Sequence, residues 1–188
     1  LGVPVAVTLG IASMAYLLTA DIPLVVMPQK MYAGIDVFVL LCIPGFILAG
    51  HLMNSGGITE RIIRFANALV GWARGGLGLT HIAGSMLFGG ISGTAVADAA
   101  SIGGMMIPGM KKAGYPADFS AAVTAASSTV GPIIPPSVPM IIVGALSGIS
   151  VSKMFLAGAI PGILMGLAMM VTAYLIAVRR GFPRQPWQ

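Results

Sequence analysis

Charged residues are scarce in this chain: ten Lys and Arg and five Asp and Glu in 188 residues, or 8%. A soluble domain carries about 25%, so this composition does not supply a water-facing surface. Acidic residues are scarcest, and the resulting net charge of +5 would fit a nucleic-acid or acidic-lipid partner. The basic residues, however, sit in short clusters between apolar segments, a pattern that belongs to membrane topology and leaves no nucleic-acid surface. Cysteine occurs once, at Cys42, which excludes an internal disulfide and leaves the redox compartment open. Its place in an apolar helix reads as a buried structural thiol. The two histidines, His51 and His81, are lone and near segment ends, where a polar tip reaches lipid headgroups. A basic leader is also missing. Residues 1–20 are apolar but are followed by DIPLVVMPQK rather than by a small-residue cleavage site, so no cleavable signal peptide is expected. The chain starts at Leu1 inside an apolar segment, which reads as a fragment or a trimmed chain.

Apolar sequence is what the chain has. It is 57% hydrophobic, with mean hydropathy +0.97, the composition of an integral membrane protein. Within that background, residues 127–144, SSTVGPIIPPSVPMIIVG, place Pro132, Pro135, Pro136 and Pro139 in an otherwise apolar run. Proline removes the backbone N–H and clashes with the preceding turn, so the helix must open there. The carbonyls around Thr129 to Pro135 are left without helical partners. In hydrocarbon such backbone survives only when buried in protein or lining a polar cavity, where it is able to ligate a cation.

Taken in order, residues 1–20 are long enough to cross a bilayer about 30 Å thick. DIPLVVMPQKMYAG reads as a connection, and residues 36–54 as a second crossing bent at Pro44-Gly45. In the next segment, ITERIIRFANALVGWARGG, Glu60, Arg61, Arg64, Asn67 and Arg74 share one face. Ile58, Ile62, Phe65, Leu69 and Trp72 lie on the other, the pattern of a helix lying in the membrane interface. Residues 77–110 are apolar but interrupted midway by GGISGT. They run between Arg61, Arg64 and Arg74 on one side and Lys111 and Lys112 on the other. Positive residues favour the cytoplasm, so both ends are expected there, yet two full crossings need ~20 residues each. A re-entrant hairpin turning at Gly89 to Thr94 satisfies both constraints. A helix from about Phe119 to Thr129 then climbs to the proline break and resumes near Met140, ending near Ser147. The last crossing, about Met154 to Val178, carries Gly158, Gly162 and Gly166 as a small-residue face. Pro161 is a potential kink, and the crossing closes on Arg179, Arg180 and Arg184.

The fold expected is all-α and integral to the membrane. Residues 1–76 form two crossings and the interfacial helix, 77–148 the hairpin and broken helix, and 149–188 the final crossing and basic tail.

A hairpin tip rich in Gly, Ser and Thr and a Pro-broken helix, both at mid-depth, offer two half-helix ends that face each other. Carbonyls and hydroxyls are hard oxygen ligands suited to Na⁺, and half-helix N–H groups favour a carboxylate. The candidate Na⁺ ligands are Ser92, Gly93 and Thr94 from the tip and Gly131, Pro132 and Pro135 from the break. Ser92, Thr94, Asp98 and Ser137 are candidates to face substrate. Asp98 is the only acidic residue deep in an apolar segment, as a carboxylate steering a cation or as a first-turn carboxylate held by the helix dipole. Ser92 and Thr94 have a plainer reading too, as caps of the returning helix.

GGISGTAVADAASIGGMMIPGMKKAGY (89–115) and AASSTVGPIIPPSVPMIIVG (125–144) resemble the large membrane subunit of tripartite ATP-independent periplasmic (TRAP) transporters. The resemblance implies a multi-pass subunit of the bacterial inner membrane. It further implies Na⁺-coupled uptake of organic acids such as C4-dicarboxylates or sialic acid, delivered by a periplasmic binding protein. A small TRAP membrane subunit acts as scaffold, and the large subunit moves as an elevator of two inverted repeats. This chain resembles the first repeat only.

Two other functions fit parts of the sequence. Gly90-Ile91-Ser92-Gly93 spells a G-x-S-G motif like that of an intramembrane serine protease, but both histidines precede Ser92 and no polar cluster surrounds it. A channel or scaffold part without coupled transport is the third reading.

Overall fold

The computed structural model describes residues 2–36 and 38–182, and Arg184 lies outside them. Every regular element among these residues is helical. The chain divides into two units, Leu1–Leu40 and Leu41–Gln188.

In the first unit, α1 (Val5–Thr19) and α2 (Val26–Ile35) pair, and the Cβ position of Gly10 lies 3.7 Å from Met27 Cε. Residues 21–34, expected to be a connection, therefore hold a helix. Pro28 is its third residue, within the first turn, where the N–H groups lack intrahelical partners and proline costs little.

A 3₁₀ turn, Phe38–Leu41, leads into α3 (Cys42–Ser55), the first helix of the second unit. Pro44 falls in the first turn of α3, where it is tolerated for the same reason. Cys42 is exposed rather than buried, because it stands at the start of α3, where only Gly50 of the helix is buried.

The amphipathic segment forms α4 (Ile58–Val70) and is followed by α5 (Gly76–Ser92). A tight turn at Gly71 to Gly75 lays α4 antiparallel along α5. Thr80 donates to Asn67 Oδ1 at 3.1 Å, and further along the pair the Cβ position of Gly84 lies 3.9 Å from Ile63 Cγ1. The basic residues and the apolar residues Ile58, Phe65, Leu69 and Trp72 all stay exposed, while Thr59 and Ala66 are buried.

The most buried helix is α5, with eleven of its seventeen residues buried, and the rest of the unit packs around it. The chain reverses after Ser92 into a returning leg made of α6 (Ala95–Asp98), a π-helical turn (Ala99–Gly103) and α7 (Gly104–Lys112). The reversal comes at the far end of the expected GGISGT interruption, since α5 continues through Gly89 and Gly90 before Gly93 stops it. Phe88, Ile102 and Met106 form a small core between the two legs.

The next helix, α8 (Ala117–Ser128), runs parallel to α5, as three contacts in order show. The Cβ position of Gly78 lies 3.1 Å from Phe119 Cε1, Ser85 Oγ donates to Ser127 Oγ at 3.0 Å, and Gly89 meets Gly131. After the break come α9 (Val138–Ser147) and α10 (Val151–Arg179). Among the described residues, α10 alone is long and apolar enough to cross a membrane; α1 and α9 are apolar but shorter. Its buried residues are Gly158, Gly162, Gly166, Ala173 and Ala177, so the small-residue face is the packed one. Gly158 and Gly162 meet Ile133 and Ile134 of the break, and Gly166 meets Met86 of α5. At the other end of α10, Phe182 joins Tyr115 and Phe119, with ring centroids 4.9–6.1 Å apart.

Candidate functional site

The tip of the hairpin is built by three consecutive residues with different tasks. Gly93 ends α5 in the left-handed conformation (φ 63°), its N–H bonded to Gly89 O at 2.9 Å. A side chain there is excluded twice, by the positive φ and because a Cβ would fall 2.5 Å from Pro136 O. Thr94 is extended, and its Oγ1 accepts from the Ala97 N–H at 3.3 Å, capping the returning leg. Ser92 is buried, and its Oγ has no hydrogen-bond partner. The two hydroxyls therefore differ. Thr94 is tied into the leg as a cap, whereas the Ser92 hydroxyl is not tied to anything.

Proline chemistry shapes the break. The Val130 carbonyl accepts from both Ile133 N (2.9 Å) and Ile134 N (3.0 Å) in one tight turn. Pro132, Pro135 and Pro136 supply no N–H. Ser137 restarts the helix as the cap of α9, accepting from Met140 N at 3.2 Å and donating to the Pro132 carbonyl. Among the described residues the carbonyls of Gly131, Ile133 and Pro135 accept no backbone or side-chain hydrogen bond. Pro132 keeps one lone pair beyond its bond from Ser137.

Tip and break touch. The Val138 N–H donates to the Gly93 carbonyl at 3.2 Å. A Cβ on Gly89 would fall 2.6 Å from Gly131 Cα, and one on Gly131 would lie 3.4 Å from Thr94 O. Ser92, Gly93, Thr94, Gly131, Pro132 and Pro135 thus belong to one neighbourhood, assembled from two segments about forty residues apart in the chain.

Asp98 lies one turn past the tip and is fully buried. The hydroxyls of Ser85 and Ser128 flank its carboxylate, but both donate elsewhere, Ser85 to Ser127 Oγ and Ser128 to Thr124 O at 2.8 Å. The carboxylate is left without a donor of its own, a costly arrangement unless a cation or a proton balances it. Ser137 is also fully buried, its hydroxyl engaged as donor and as acceptor. Neither Asp98 nor Ser137 opens onto free space, while Ser92 and Thr94 line a cleft on the outer side of the tip.

A polar seam beneath the tip escaped the sequence reading. His81 is fully buried, with both ring nitrogens unpartnered, instead of reaching headgroups from a segment end. Gly78, His81, Ser85 and Gly89 form one stripe of α5 at helical spacing, and three of the four contact α8 or the break directly. On α8, Ser120, Thr124, Ser127 and Ser128 are all buried. Their spacing, and that of His81 with Ser85 inside an apolar helix, is the signal that marks the seam.

Neither histidine bonds the Ser92 hydroxyl, which has no partner: His81 lies about 16 Å back along α5 at 1.5 Å per residue, and His51, on α3, lines the same cleft as Ser92 without a hydrogen bond to it.

The sequence profile of the tripartite ATP-independent periplasmic transporter, DctM component, matches residues 1–188. The chain is 48% identical over 186 residues to the sialic acid TRAP transporter large permease protein SiaM of Vibrio cholerae, covering 98% of this chain and 44% of that protein. To the C4-dicarboxylate TRAP transporter large permease protein DctM of the same organism it is 42% identical over 188 residues, 99% of this chain and 42% of that one. To the 2,3-diketo-L-gulonate TRAP transporter large permease protein YiaN of Escherichia coli it is 42% identical over 188 residues, 98% and 44%. The chain spans less than half the length of these relatives. With a match along its whole length, and with the tip and the break of the two resembling motifs in contact, the chain belongs to the DctM-component family of tripartite ATP-independent periplasmic transporters.

Proposed function

We propose that this chain is an ion-binding part of a Na⁺-coupled permease that takes up organic acids across the bacterial inner membrane. The contact between tip and break carries the reading. Two helix ends meet there, and oxygen atoms without partners collect at the junction. Na⁺ would be held by Ser92 Oγ, by the carbonyls of Gly131 and Pro135, and by the remaining lone pairs of Gly93, Thr94 and Pro132. All are hard oxygens of the kind that replace the hydration shell of an alkali cation. Asp98 acts from behind the junction through its charge, beside Ser85 and Ser128. A bound cation offsets that buried carboxylate, so ion binding and tip geometry are linked.

Residues 77–110 enter the membrane as a re-entrant hairpin from the cytoplasmic side, which Arg61, Arg64 and Arg74 mark before it and Lys111 and Lys112 after it. The substrate is a carboxylate of the class named for the relatives, C4-dicarboxylate, sialic acid or a related acid, received from a periplasmic binding protein. A small TRAP subunit completes the scaffold. In an elevator movement the part that travels holds the hairpin and the broken helix, residues 77–148, with α4 along α5 and α10 against the break in contact with it.

The test is uptake of labelled acid by the complete permease, reconstituted with its partner subunits and binding protein, under an imposed Na⁺ gradient. Uptake should rise with external Na⁺ and stop when the gradient is dissipated. Uptake indifferent to Na⁺ would overturn the reading.

A further inference from the structure

The outer side of the hairpin tip opens on a cleft of about 460 Å³ whose far wall is α3. On α3, Ile47, Gly50, His51 and Asn54 share one face at helical spacing, and all four line the cleft. Gly50 is the point of closest approach, where a Cβ would lie 3.7 Å from Ser92 Cβ. The missing side chain lets α3 come against the tip, which brings His51 and Asn54 to the cleft that Ser92 lines.

Three observations point to a ligand. Ser92 lines this cleft, and its hydroxyl is buried and has no partner. The polar groups around it are the His51 ring, the Asn54 carboxamide and the hydroxyls of Ser92, Thr94 and Ser101, with no Lys, Arg, Asp or Glu in the lining. Phe46, Ile47 and Val96 supply apolar surface, and the volume falls in the range of small-molecule sites. Hydrogen-bonding side chains over an apolar floor, with no Lys or Arg among them, suit an oxygen-rich organic acid whose charge is balanced elsewhere.

We propose that His51 and Asn54 form the second wall of an organic-acid subsite opposite Ser92 and discriminate among acids by the position of their hydroxyl and carbonyl oxygens. The proposal rests on the transport reading above, with the Na⁺ at the junction supplying the positive charge that no Lys or Arg of the cleft supplies. It assigns selection to α3, which contributes nothing to the ion ligands.

The experiment is uptake by the complete reconstituted permease with four labelled probes: N-acetylneuraminate, succinate, 2,3-diketo-L-gulonate and isethionate. For whichever acid the unsubstituted protein carries, KM and the half-saturating Na⁺ concentration are measured in His51→Ala, Asn54→Ala, Asn54→Asp and the distant Lys153→Gln. Removing one hydrogen bond should raise KM about 3- to 10-fold, with half-saturating Na⁺ changed less than about twofold. Asn54→Asp, nearly isosteric and therefore folded, should raise KM further by setting a negative charge against the anion, and Lys153→Gln should change nothing. KM values within about twofold of the unsubstituted protein in all three cleft variants would overturn the subsite while leaving Na⁺-driven uptake intact. An unsubstituted protein that carries none of the four acids, or carries one without regard to Na⁺, would overturn the transport reading and the subsite with it.

Discussion

Gly89 and Gly131 stand backbone to backbone, so close that a Cβ on Gly89 would fall 2.6 Å from Gly131 Cα. The relationship is not symmetric. A Cβ on Gly131 would meet its nearest atoms, Thr94 O and Gly89 Cα, at 3.4 and 3.5 Å, ordinary contact distances. Gly89→Ala should therefore push the tip away from the break, while Gly131→Ala should be accommodated and only a branched residue such as Val at 131 should crowd it. In Na⁺-dependent uptake by the complete permease, Gly89→Ala should lose most activity and Gly131→Ala should keep most of it. The reverse order would mean that the contact does not control the site.

The two tip hydroxyls should separate by assay. Ser92→Ala removes a hydroxyl that makes no structural bond, so it should raise the half-saturating Na⁺ concentration several-fold with little change in thermal stability. Thr94→Ala removes the cap on the Ala97 N–H and should cost about 1 kcal/mol of stability, read as a lower melting temperature in detergent. Equal effects of both substitutions on Na⁺ affinity and on melting would contradict this division.

The sequence made the break and the tip legible, because proline and glycine act locally: a missing N–H or a positive φ does its work wherever the chain folds. Legible too was the small-residue face of α10, since Gly158, Gly162 and Gly166 recur at helical spacing, although its partner, the break itself, was not. What stayed hidden was long-range. His81 read as a segment-end histidine because nothing local shows that α8 will lie along α5 and bury it. Residues 21–34 read as a connection because Pro28 looks like a breaker, whereas in the first turn of α2 a proline is tolerated. Cys42 read as buried from apolar neighbours, which in a membrane chain say little about which face of a helix is covered. The differing roles of Ser92 and Thr94 became visible only once the Ala97 N–H had chosen between them.

For topology, cysteine labelling should use Arg74 and Lys112, both exposed, in a Cys42→Ser background. Gly75 is unsuited, since its φ of +72° and its contact with Ala177 would strain a side chain. Both cysteines should react from the cytoplasmic side only. Reaction from opposite sides would refute the re-entrant hairpin.

Gly158→Ala should destabilise the break from behind. Its Cβ would fall 2.8 Å from the Ile133 carbonyl oxygen, and overpacking of this kind costs about 1–3 kcal/mol. The melting temperature of the purified permease should drop accordingly. An unchanged melting temperature would show that α10 is free to move away from the break.

The most direct test of a shared Na⁺ site at tip and break is thermal stabilisation of the purified complete permease by Na⁺, titrated against choline at constant ionic strength. A ligand that binds only the folded protein raises its stability by RT ln(1 + [L]/Kd), so the melting temperature should climb with Na⁺ in the unsubstituted protein. In Gly89→Ala, whose tip is held off the break, the climb should be absent or shifted to much higher Na⁺. The same climb in Gly89→Ala as in the unsubstituted protein, or none in either, would contradict the account.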